Sequence, residues 1–465
     1  MKFKTVYKCQ SCGQESAKWL GQCPGCGEWN TLAEEVEASG RAKAGERRSL
    51  TEFSSGTVKL AESGCLDEAR IKTGLSELDR LLGEGLIRGQ MVLLAGAPGI
   101  GKSTLMMQIA GALAKDKPLL YVTGEESVAQ VGSRAARLKV ASDNIYLLSE
   151  TDLSKIAESY RKIKPAFMII DSIQTVFHPE LAGSSGTVGQ IRESASELLR
   201  MCKPDGTVLF VLGHVTKDGG LAGPKVLEHI VDTVLYFDTE RYSFLRMLRA
   251  HKNRFGPTDE LGIFRMTETG LSPVDDASGY FATASRTADL CGRAYTVAME
   301  GTRPIFTEVQ VLVTPTRYPF PQRMATGVDL NRCRILLAAI EKHLGISLES
   351  RDVFINLPGG LKVKDPALDL AVCAAVISSA REIPLPHDAV FIGETGILGQ
   401  ISQAAWLSAR LKEAGRLGLG SAYIPRPAGG SELQTGALSL IILEELEGLM
   451  RRIDTFSRKR SSAAD

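Results

Sequence analysis

Short apolar runs alternate with amphipathic stretches between about residues 58 and 275 of the chain. The apolar runs are "MVLLAG", "PLLYVTG", "AFMIID", "TVLFVLGH" and "TVLYFD". Buried parallel strands are typically near-continuous apolar runs, and the stretches between them have the pattern of covering helices. The alternation therefore predicts an α/β core in which helices cover a parallel sheet.

A second α/β unit is predicted in residues 285–455. Its strands are expected near "VFINLP" and "AVFIGE". Its helices are expected near 330–343, 366–380 and 406–416. The stretch "PALDLAVCAAVISSA" is apolar but is interrupted by Asp369, which indicates a buried helix rather than a membrane span.

Three further segments lie outside the two α/β units. Residues 31–57 are charged and small, which is typical of a linker, and residues 456–465 are predicted to be disordered. Residues 1–30 contain four closely spaced cysteines. We therefore predict a cysteine-bearing unit, a linker, two α/β units and a tail, in that order.

Composition and charge narrow the functional classes. A chain of 465 residues is too long for one hydrophobic core. Its 55 basic and 54 acidic residues nearly cancel, so nucleic-acid binding would need a local patch. No apolar run approaches the ~18 residues of a membrane span, and "MKFKTVYKCQ" lacks the apolar part of a secretory signal. We expect a cytoplasmic protein with no membrane partner.

The four cysteines of the first segment form two C-x2-C pairs separated by ten residues. They are Cys9, Cys12, Cys23 and Cys26. Glycines such as Gly13 and Gly27 allow each pair to close as a tight turn, and four thiolates complete a tetrahedral site that suits Zn²⁺. Buried cysteines or disulfides are the alternative, which this spacing in a reducing compartment disfavours. We predict a structural zinc ribbon whose folding depends on the metal.

A phosphate-binding loop is predicted between an apolar strand and a helical stretch, in "LLAGAPGIGKST". The stretch fits G-x4-G-K-[ST], in which backbone N–H groups surround phosphates at a helix N-terminus. Lys102 would reach the β- and γ-phosphates of ATP, and the Ser103 hydroxyl would bind Mg²⁺. The predicted nucleotide-contacting residues are Gly96, Ala97, Pro98, Gly99, Ile100, Gly101, Lys102, Ser103 and Thr104. The alternative is a turn that binds no nucleotide.

Carboxylates at the ends of two predicted strands would complete a hydrolase. Asp171 ends "AFMII", where it would hold Mg²⁺ through water, although an ordinary helix cap is the alternative. Glu125 and Glu126 follow the strand "LLYV", and one of them would activate the attacking water. We prefer Glu125, and the neighbouring glutamate remains the alternative.

The order of these motifs resembles that of the RecA-like ATPases, including the hexameric helicases of the DnaB type. The stretches "KTGLSELDRLLG" and "LLGEGLIRGQMVLLAGAPGIGKST" are similar to theirs, as is "GHVTKDGGLAGPKVLEHIVD". The resemblance implies that His214 and Thr216 sense the γ-phosphate. It also implies that the following loop touches single-stranded DNA through Lys217 and Lys225, with a plain flexible loop as the alternative.

The segment "LPGGLKVKDPALDLAVCAAV" resembles the proteolytic domain of Lon. In Lon a nucleophilic serine follows the proline, whereas Ala367 stands here. The stretch "GETGILGQISQAAWLSARLKEA" is similar to the one that carries the catalytic lysine of Lon, and Ser408 stands at that place, with Lys412 the nearest lysine. Without an activated hydroxyl we expect the fold of that domain without its protease activity.

A C4 ribbon, a RecA-like core and an inactive Lon-like domain in this order resemble the bacterial RadA (Sms) family. The chain also contains that family's KNRFG motif, made of Lys252, Asn253, Arg254, Phe255 and Gly256. The resemblance implies a homo-hexameric ATPase that binds single-stranded and branched DNA, drives branch migration and works with the recombinase (RecA) filament in repair. A regulatory ATPase of the circadian-clock type and an ATP-dependent protease are the rival interpretations.

A pair of cations in "HKNRFG" at a turn is usually a solvated turn. In RecA-like rings, however, each subunit completes its neighbour's nucleotide site. Lys252 and Arg254 lie two residues apart on an extended chain and should project to one side. We predict that both act in trans on the neighbour's ATP and that Lys252 also couples hydrolysis to DNA. Asn253 is expected to brace the turn, and Gly256 to permit the reversal before Pro257.

Overall fold

A computed structural model describes residues 2–39, 69–214, 224–238, 245–274, 290–360, 362–427 and 438–461. The chain forms two compact units. The first consists of Met1–Thr239 and Phe244–Val274, and the second of Glu240–Ser243 and Asp275–Asp465.

The N-terminal part of the first unit is a small antiparallel sheet. Its strands are β1 (Lys2–Cys9), β2 (Glu15–Ser16) and β3 (Leu32–Ser39), in the order β2-β1-β3. Lys2 to Cys9 pair with Ser39 to Leu32 along the whole length of β1. The linker predicted over 31–57 is therefore wrong for residues 32–39, which belong to the ribbon, and residues 40–57 lie outside the described residues.

The core of the first unit is a nine-stranded sheet in the order β12-β11-β10-β9-β4-β8-β7-β5-β6. The strands are β4 (Met91–Gly96), β5 (Leu119–Thr123), β6 (Ile145–Ser149), β7 (Phe167–Asp171), β8 (Val208–His214), β9 (Thr233–Asp238), β10 (Leu245–Asn253), β11 (Leu261–Thr267) and β12 (Gly270–Pro273). Six strands, β9-β4-β8-β7-β5-β6, are parallel, and β10 to β12 extend the sheet as an antiparallel meander. The predicted parallel sheet is confirmed.

Helices cover both faces of this sheet. They are α1 (Ser76–Leu81), α2 (Lys102–Leu113), α3 (Val128–Arg137), α4 (Leu153–Ile163), α5 (Val188–Cys202) and the short α6 (Pro224–Glu228). Alternate residues of β4 point to opposite faces: Val92 and Leu94 join the core under α2 and α3, whereas Met91 and Leu93 join the core under α4 and α5. Because both faces are buried, the strands are continuous apolar runs rather than alternating ones.

The second unit is a mixed seven-stranded sheet with its own helices. Its strands are β13 (Arg293–Glu300), β14 (Arg303–Pro315), β15 (Arg323–Thr326), β16 (Arg351–Asn356), β17 (Ala389–Phe391), β20 (Ser421–Ile424) and β21 (Ser439–Ile442), with a separate hairpin of β18 (Glu394–Thr395) and β19 (Ile401–Ser402). Its helices are α7 (Leu330–Leu344), α8 (Asp369–Arg381), α9 (Leu407–Arg416) and α10 (Leu446–Ser461). The sheet order is β15-β16-β14-β13-β17-β20-β21.

The apolar stretch around Asp369 forms α8, which is buried from Asp369 to Ser378 as the sequence predicted. Helix α10 runs to Ser461, so the disordered tail predicted from residue 456 is wrong for residues 456–461. Within the described ranges, no helix has both the length and the apolar character that a membrane crossing needs.

Candidate nucleotide site, metal-binding turns and KNRFG motif

The phosphate-binding loop lies between β4 and α2, as predicted. Gly99 and Gly101 have φ values of +74° and +119°, in the left-handed region that favours glycine. A Cβ on Gly96 would lie 2.7 Å from the carbonyl oxygen of Phe237 on β9. The glycines of this loop are therefore required by conformation at two positions and by close backbone approach at the third.

Lys102 is the first residue of α2, and its side chain is folded against the loop. Its Nζ donates hydrogen bonds to the carbonyl oxygens of Gly96 (2.8 Å) and Ala97 (3.0 Å). Burial lowers the pKa of Lys102, and the negative charges of Asp171 and Glu125 only partly offset this effect. The ammonium group thus lies between the loop and the two predicted carboxylates.

Asp171 ends β7 and is buried next to the loop. Tyr121 on the adjacent strand β5 donates its hydroxyl hydrogen to Asp171 Oδ2 at 2.7 Å, and the Ser103 hydroxyl also hydrogen-bonds this carboxylate. Burial raises the pKa of Asp171 above its usual value, and these two hydrogen bonds partly oppose the rise. The structure therefore brings together Ser103 and Asp171, the two predicted Mg²⁺ ligands.

The two adjacent glutamates point to different partners. Glu125 Oε1 accepts a hydrogen bond from the Ser172 hydroxyl and lies 3.1 Å from Nε2 of His214. Although burial raises the pKa of Glu125, these contacts and the charge of Lys102 lower it below its usual value. Glu126 instead forms an ion pair with Arg134 on α3. Glu125 is therefore the glutamate that faces the phosphate-binding loop.

Strand order explains why His214 joins this group. Strand β8 pairs with β4 on one side and with β7 on the other. Its last residue, His214, therefore lies between the loop and the carboxylates, with Nδ1 at 3.2 Å from Lys102 Nζ. Sequence reasoning selected His214 but missed Tyr121, Ser172 and Arg134. A tyrosine inside an otherwise aliphatic strand was the available signal for the first of these.

The four cysteines of the ribbon converge on one point. Their sulfur atoms all lie within 4.8 Å of one another, with 3.6 Å between Cys9 and Cys26 and 3.5 Å between Cys12 and Cys23. Tetrahedral Zn²⁺–thiolate bonds of about 2.3 Å require sulfur separations of about 3.8 Å, which these distances fit. The donor set is four soft sulfurs, as a structural zinc site requires.

The two C-x2-C turns have the same backbone design. The amide of Gly13 donates to the carbonyl of Cys9 at 2.8 Å, and that of Gly27 donates to the carbonyl of Cys23 at 2.9 Å. Both glycines have positive φ values, +76° and +74°. Left-handed glycines thus close both turns, which is the role the sequence predicted for them.

The KNRFG motif lies at the end of β10. Asn253 pairs with Thr233, the first residue of β9, which is next to the start of β4. Arg254 is one residue further on and is level with Met91, because its amide donates to Asp232 and the Asp232 amide donates to Met91. The phosphate-binding loop follows Gly96, which is five residues beyond Met91, or roughly 16 Å at the usual rise of a strand. The motif is therefore at the opposite edge of the sheet from the phosphate-binding loop of its own chain.

The side chains of the motif have different environments. Lys252 Nζ donates to the carbonyl oxygens of Glu228 and Val231 at the end of α6, the latter at 2.8 Å. Burial and the nearby charge of Arg254 lower the pKa of Lys252. Arg254, whose side chain is 54% exposed, pairs with Asp232 at 3.4 Å. Lys252 is thus engaged within its own chain, and of the two cations it is Arg254 that is exposed.

Asn253 and Gly256 anchor the motif to the turn after α1. Asn253 Nδ2 donates to the carbonyl of Leu81, and Asn253 Oδ1 accepts from the amide of Phe255, both at 3.1 Å. A Cβ on Gly256 would lie 2.7 Å from Asn253 Nδ2 and 2.9 Å from Cα of Gly83. Gly256 lies in the bend before Pro257, and its close approach to Gly83 is a reason for glycine that sequence reasoning did not give.

Of the two predicted DNA contacts, Lys217 lies outside the described residues and Lys225 lies on α6. Thr216, which is predicted to sense the γ-phosphate with His214, also lies outside the described residues. Helix α6 is the same helix whose end binds Lys252.

In the second unit, the two positions compared with Lon carry neither the nucleophilic serine nor the catalytic lysine. Ala367 is buried, whereas Ser408 is exposed on α9. Arg410, two residues after Ser408, is 1% exposed, and its Nη1 donates to Asp365 Oδ2 and to the carbonyl of Val297, both at 2.6 Å. A buried Asp–Arg pair therefore occupies this region of the unit.

Comparison with known proteins assigns the chain to a family. It is 44% identical to the DNA repair protein RadA of Bacillus subtilis (strain 168) over 429 residues, covering 91% of this chain and 93% of that protein. It is 45% identical to the RadA of Pseudomonas aeruginosa (strain PAO1) over 452 residues, covering 96% and 98%. The chain belongs to the RadA family of DNA repair proteins. The RadA of Aquifex aeolicus (strain VF5) is similar at 44% identity over 425 residues.

Models of two protein domain families match parts of this chain. Residues 57–220 match the AAA domain, and residues 7–34 match the rubredoxin metal binding domain. The first match contains Lys102, Glu125, Asp171 and His214, and the second contains all four ribbon cysteines. This RadA-family chain therefore combines an AAA domain, which contains the phosphate-binding loop, with an N-terminal zinc ribbon.

Proposed function

We propose that this RadA-family chain is a DNA-dependent ATPase that assembles as a homo-hexamer, moves along single-stranded DNA and promotes branch migration of recombination intermediates. The observation that carries the proposal is the position of the KNRFG motif. An arginine roughly 16 Å of strand away from its own phosphate-binding loop is too far to act there. It is available to a neighbouring chain, as a ring with shared nucleotide sites requires.

Hydrolysis is assigned to the residues around the loop. Lys102 and the backbone N–H groups of residues 96–104, except that of Pro98, would bind the phosphates. Ser103 and Asp171 would hold Mg²⁺, which would supply positive charge beside the phosphates. Glu125 accepts a proton from water as the water oxygen forms a bond to the γ-phosphorus and the bond to the β-phosphate oxygen breaks. The lowered pKa of Glu125 keeps its carboxylate ionised before the proton is transferred.

His214 connects binding to hydrolysis. Its two ring nitrogens lie within hydrogen-bond distance of Lys102 and Glu125, so a change at the γ-phosphate that moves Lys102 also changes the surroundings of the base. Ser172 holds the Glu125 carboxylate from the other side. Both residues are positioning residues for Glu125.

The two cations of the motif have separate roles in this proposal. Arg254 is inserted into the neighbour's site, where arginine fingers accelerate hydrolysis by roughly 10³–10⁵. Lys252 acts within its own chain: it caps α6, the helix that directly follows the stretch with Lys217 and contains Lys225. Lys252 thereby links the motif to the proposed contacts with single-stranded DNA.

The remaining segments complete the proposal. The zinc ribbon is structural, because four thiolates leave no open coordination position. The Lon-like unit is a scaffold for the ring without protease activity, since Ala367 cannot act as a nucleophile. Branched DNA and the RecA filament are the expected partners, in the cytoplasm.

The test is hydrolysis measured with and without DNA, followed by strand exchange on a labelled three-strand junction. We expect single-stranded DNA to raise ATP hydrolysis severalfold, and the junction to be resolved only with hydrolysable ATP. The Lys102→Ala variant should neither hydrolyse ATP nor resolve the junction. Lys115 is an exposed lysine just beyond α2, and the Lys115→Ala variant should keep both activities. Hydrolysis that is indifferent to DNA would favour a regulatory ATPase instead.

A further inference from the structure

Asp232 lies at the point where three strands of the core begin or end. It directly precedes β9, and its backbone amide donates to the carbonyl of Met91, the first residue of β4, at 3.1 Å. Its carboxylate oxygen Oδ2 accepts from the Met91 amide, also at 3.1 Å. Asp232 is therefore fixed to the amino-terminal edge of the central strand by its backbone and its side chain.

The same residue contacts Arg254 in two ways. The Arg254 amide donates to the Asp232 carbonyl at 3.2 Å, which extends the pairing of β9 and β10 beyond Asn253. Nη1 of Arg254 donates to Asp232 Oδ1 at 3.4 Å. The Asp232 side chain is 3% exposed and the Arg254 side chain 54% exposed. A buried, fixed carboxylate thus contacts one nitrogen of the guanidinium group of an arginine that is about half exposed.

Other charges near this carboxylate do not replace Arg254. Lys203 Nζ lies 4.0 Å from Asp232 Oδ1, and Lys252, which acts on Asp232 only through its charge, donates to backbone carbonyls. A carboxylate that is nearly removed from water costs free energy unless cations and donors compensate it. Arg254 is the cation that hydrogen-bonds it.

We propose that Asp232 is a positioning residue for Arg254, which it holds at the edge of the sheet in the orientation needed to enter a neighbouring nucleotide site. The proposal rests on the proposed trans role of Arg254. Because the contact is a single hydrogen bond to a half-exposed guanidinium, its effect is that of a weak ion pair. We expect loss of the carboxylate charge to lower DNA-stimulated hydrolysis about three- to tenfold, far less than loss of Arg254 itself.

The experiment is a double-mutant cycle of Asp232→Asn and Arg254→Ala in the full-length chain. Asparagine keeps an oxygen for the Met91 amide and removes the charge that pairs with Arg254. We expect the single Asp232→Asn change to lower kcat of DNA-stimulated hydrolysis, to leave KM for ATP unchanged, and to add nothing in the Arg254→Ala background. Lys203→Ala, which removes the other nearby cation, should leave kcat within twofold.

Three outcomes separate the proposals. If Arg254→Ala lowers hydrolysis but Asp232→Asn does not, the positioning role is wrong and the trans role stands. If the double variant lowers kcat by the product of the two single effects, Asp232 acts through β4 and not through Arg254. If Arg254→Ala itself has no effect, the proposed function fails first. Should Asp232→Asn not fold, Asp232→Glu displaces the carboxylate by one methylene, and unchanged DNA-stimulated hydrolysis in that variant would overturn the proposal.

Discussion

Glu125 Oε1 lies 3.1 Å from Nε2 of His214, whose other ring nitrogen is 3.2 Å from the loop lysine, Lys102. Its sequence neighbour Glu126 pairs with Arg134 instead. Because the two glutamates have different partners, their replacement by glutamine should have different effects on ATP hydrolysis.

Glu125→Gln should bind ATP but slow its hydrolysis by about 10²-fold or more, since the base that accepts the water proton is lost. Glu126→Gln, the matched control, should hydrolyse ATP at near the normal rate. The measurement is single-turnover hydrolysis beside nucleotide affinity for both variants. Normal turnover in Glu125→Gln with loss in Glu126→Gln would reverse the assignment.

The nucleotide site was largely predictable because its signals are local. The loop residues, the strand before them and the helix after them occupy one short stretch, and the strand ends at Asp171 and His214 are visible as polar residues after apolar runs. The sequence alone does not decide between Glu125 and Glu126, because the two are distinguished by the ion pair of Glu126 with Arg134 on α3. No pattern in the sequence around the glutamates gives the orientation of that helix.

Other parts of the fold were less visible. Strand β3 is "LAEEVEAS", whose charged residues suggest a linker, yet it pairs with β1 along its full length. A ribbon held by metal does not need apolar strands, so the usual signal is missing. Gly256 was assigned to a reversal, and its close approach to Gly83, which is 173 positions earlier in the chain, is a further reason for glycine. Contacts between such distant residues are set by the tertiary fold.

Removal of one ribbon cysteine should release the metal. Cys26→Ala is expected to lower the zinc content from about one per chain to near zero and to unfold residues 7–34, because the four thiolates supply most of the folding free energy of so small a unit. ATP binding by the core should persist. The measurement is metal analysis of freshly purified protein, with Cys291→Ala, a cysteine outside the ribbon, as the control that keeps its zinc. Native protein without zinc would contradict the site.

The buried carboxylate of Asp171 should reduce stability when nucleotide and metal are absent. Its pKa is raised by burial, so between the usual aspartate pKa and this raised value the folded chain binds more protons than the unfolded chain. Stability therefore falls as pH rises through that window. Asp171→Asn, measured in EDTA at pH 7, should have a Tm higher by a few degrees, as about 1 kcal/mol produces in a domain of this size.

The gain in Tm should disappear well below the usual aspartate pKa, at about pH 3, where Asp171 of the parent is protonated in both states. Asp143→Asn, an exposed carboxylate, should leave Tm unchanged at both pH values. The same Asp171→Asn chain should lose Mg²⁺-dependent hydrolysis. A lower Tm at pH 7 would show that the carboxylate stabilises the empty site.

The second unit should not cleave proteins. Ala367 has no hydroxyl to attack a peptide bond at the position of the nucleophilic serine of Lon, and the buried Arg410 nearby is paired with Asp365. Casein incubated with the chain and ATP should remain intact on a gel over hours. Two results together would support the protease interpretation. Casein would be cleaved by preparations free of other proteases, and the Lys102→Ala variant would not cleave it.

The trans role of Arg254 can be tested by mixing two inactive variants. Lys102→Ala chains have no working loop but keep the arginine, whereas Arg254→Ala chains keep the loop but have no arginine to donate. If Arg254 acts across an interface, mixed rings should recover part of the DNA-stimulated hydrolysis, at each junction where an intact arginine meets an intact loop. Lys252→Ala should behave differently: if it acts within its own chain through α6, DNA stimulation should be lost while hydrolysis without DNA remains. Mixing is verified by native mass spectrometry of the two chains, and rings that are shown to be mixed but recover no activity would mean that Arg254 serves its own subunit.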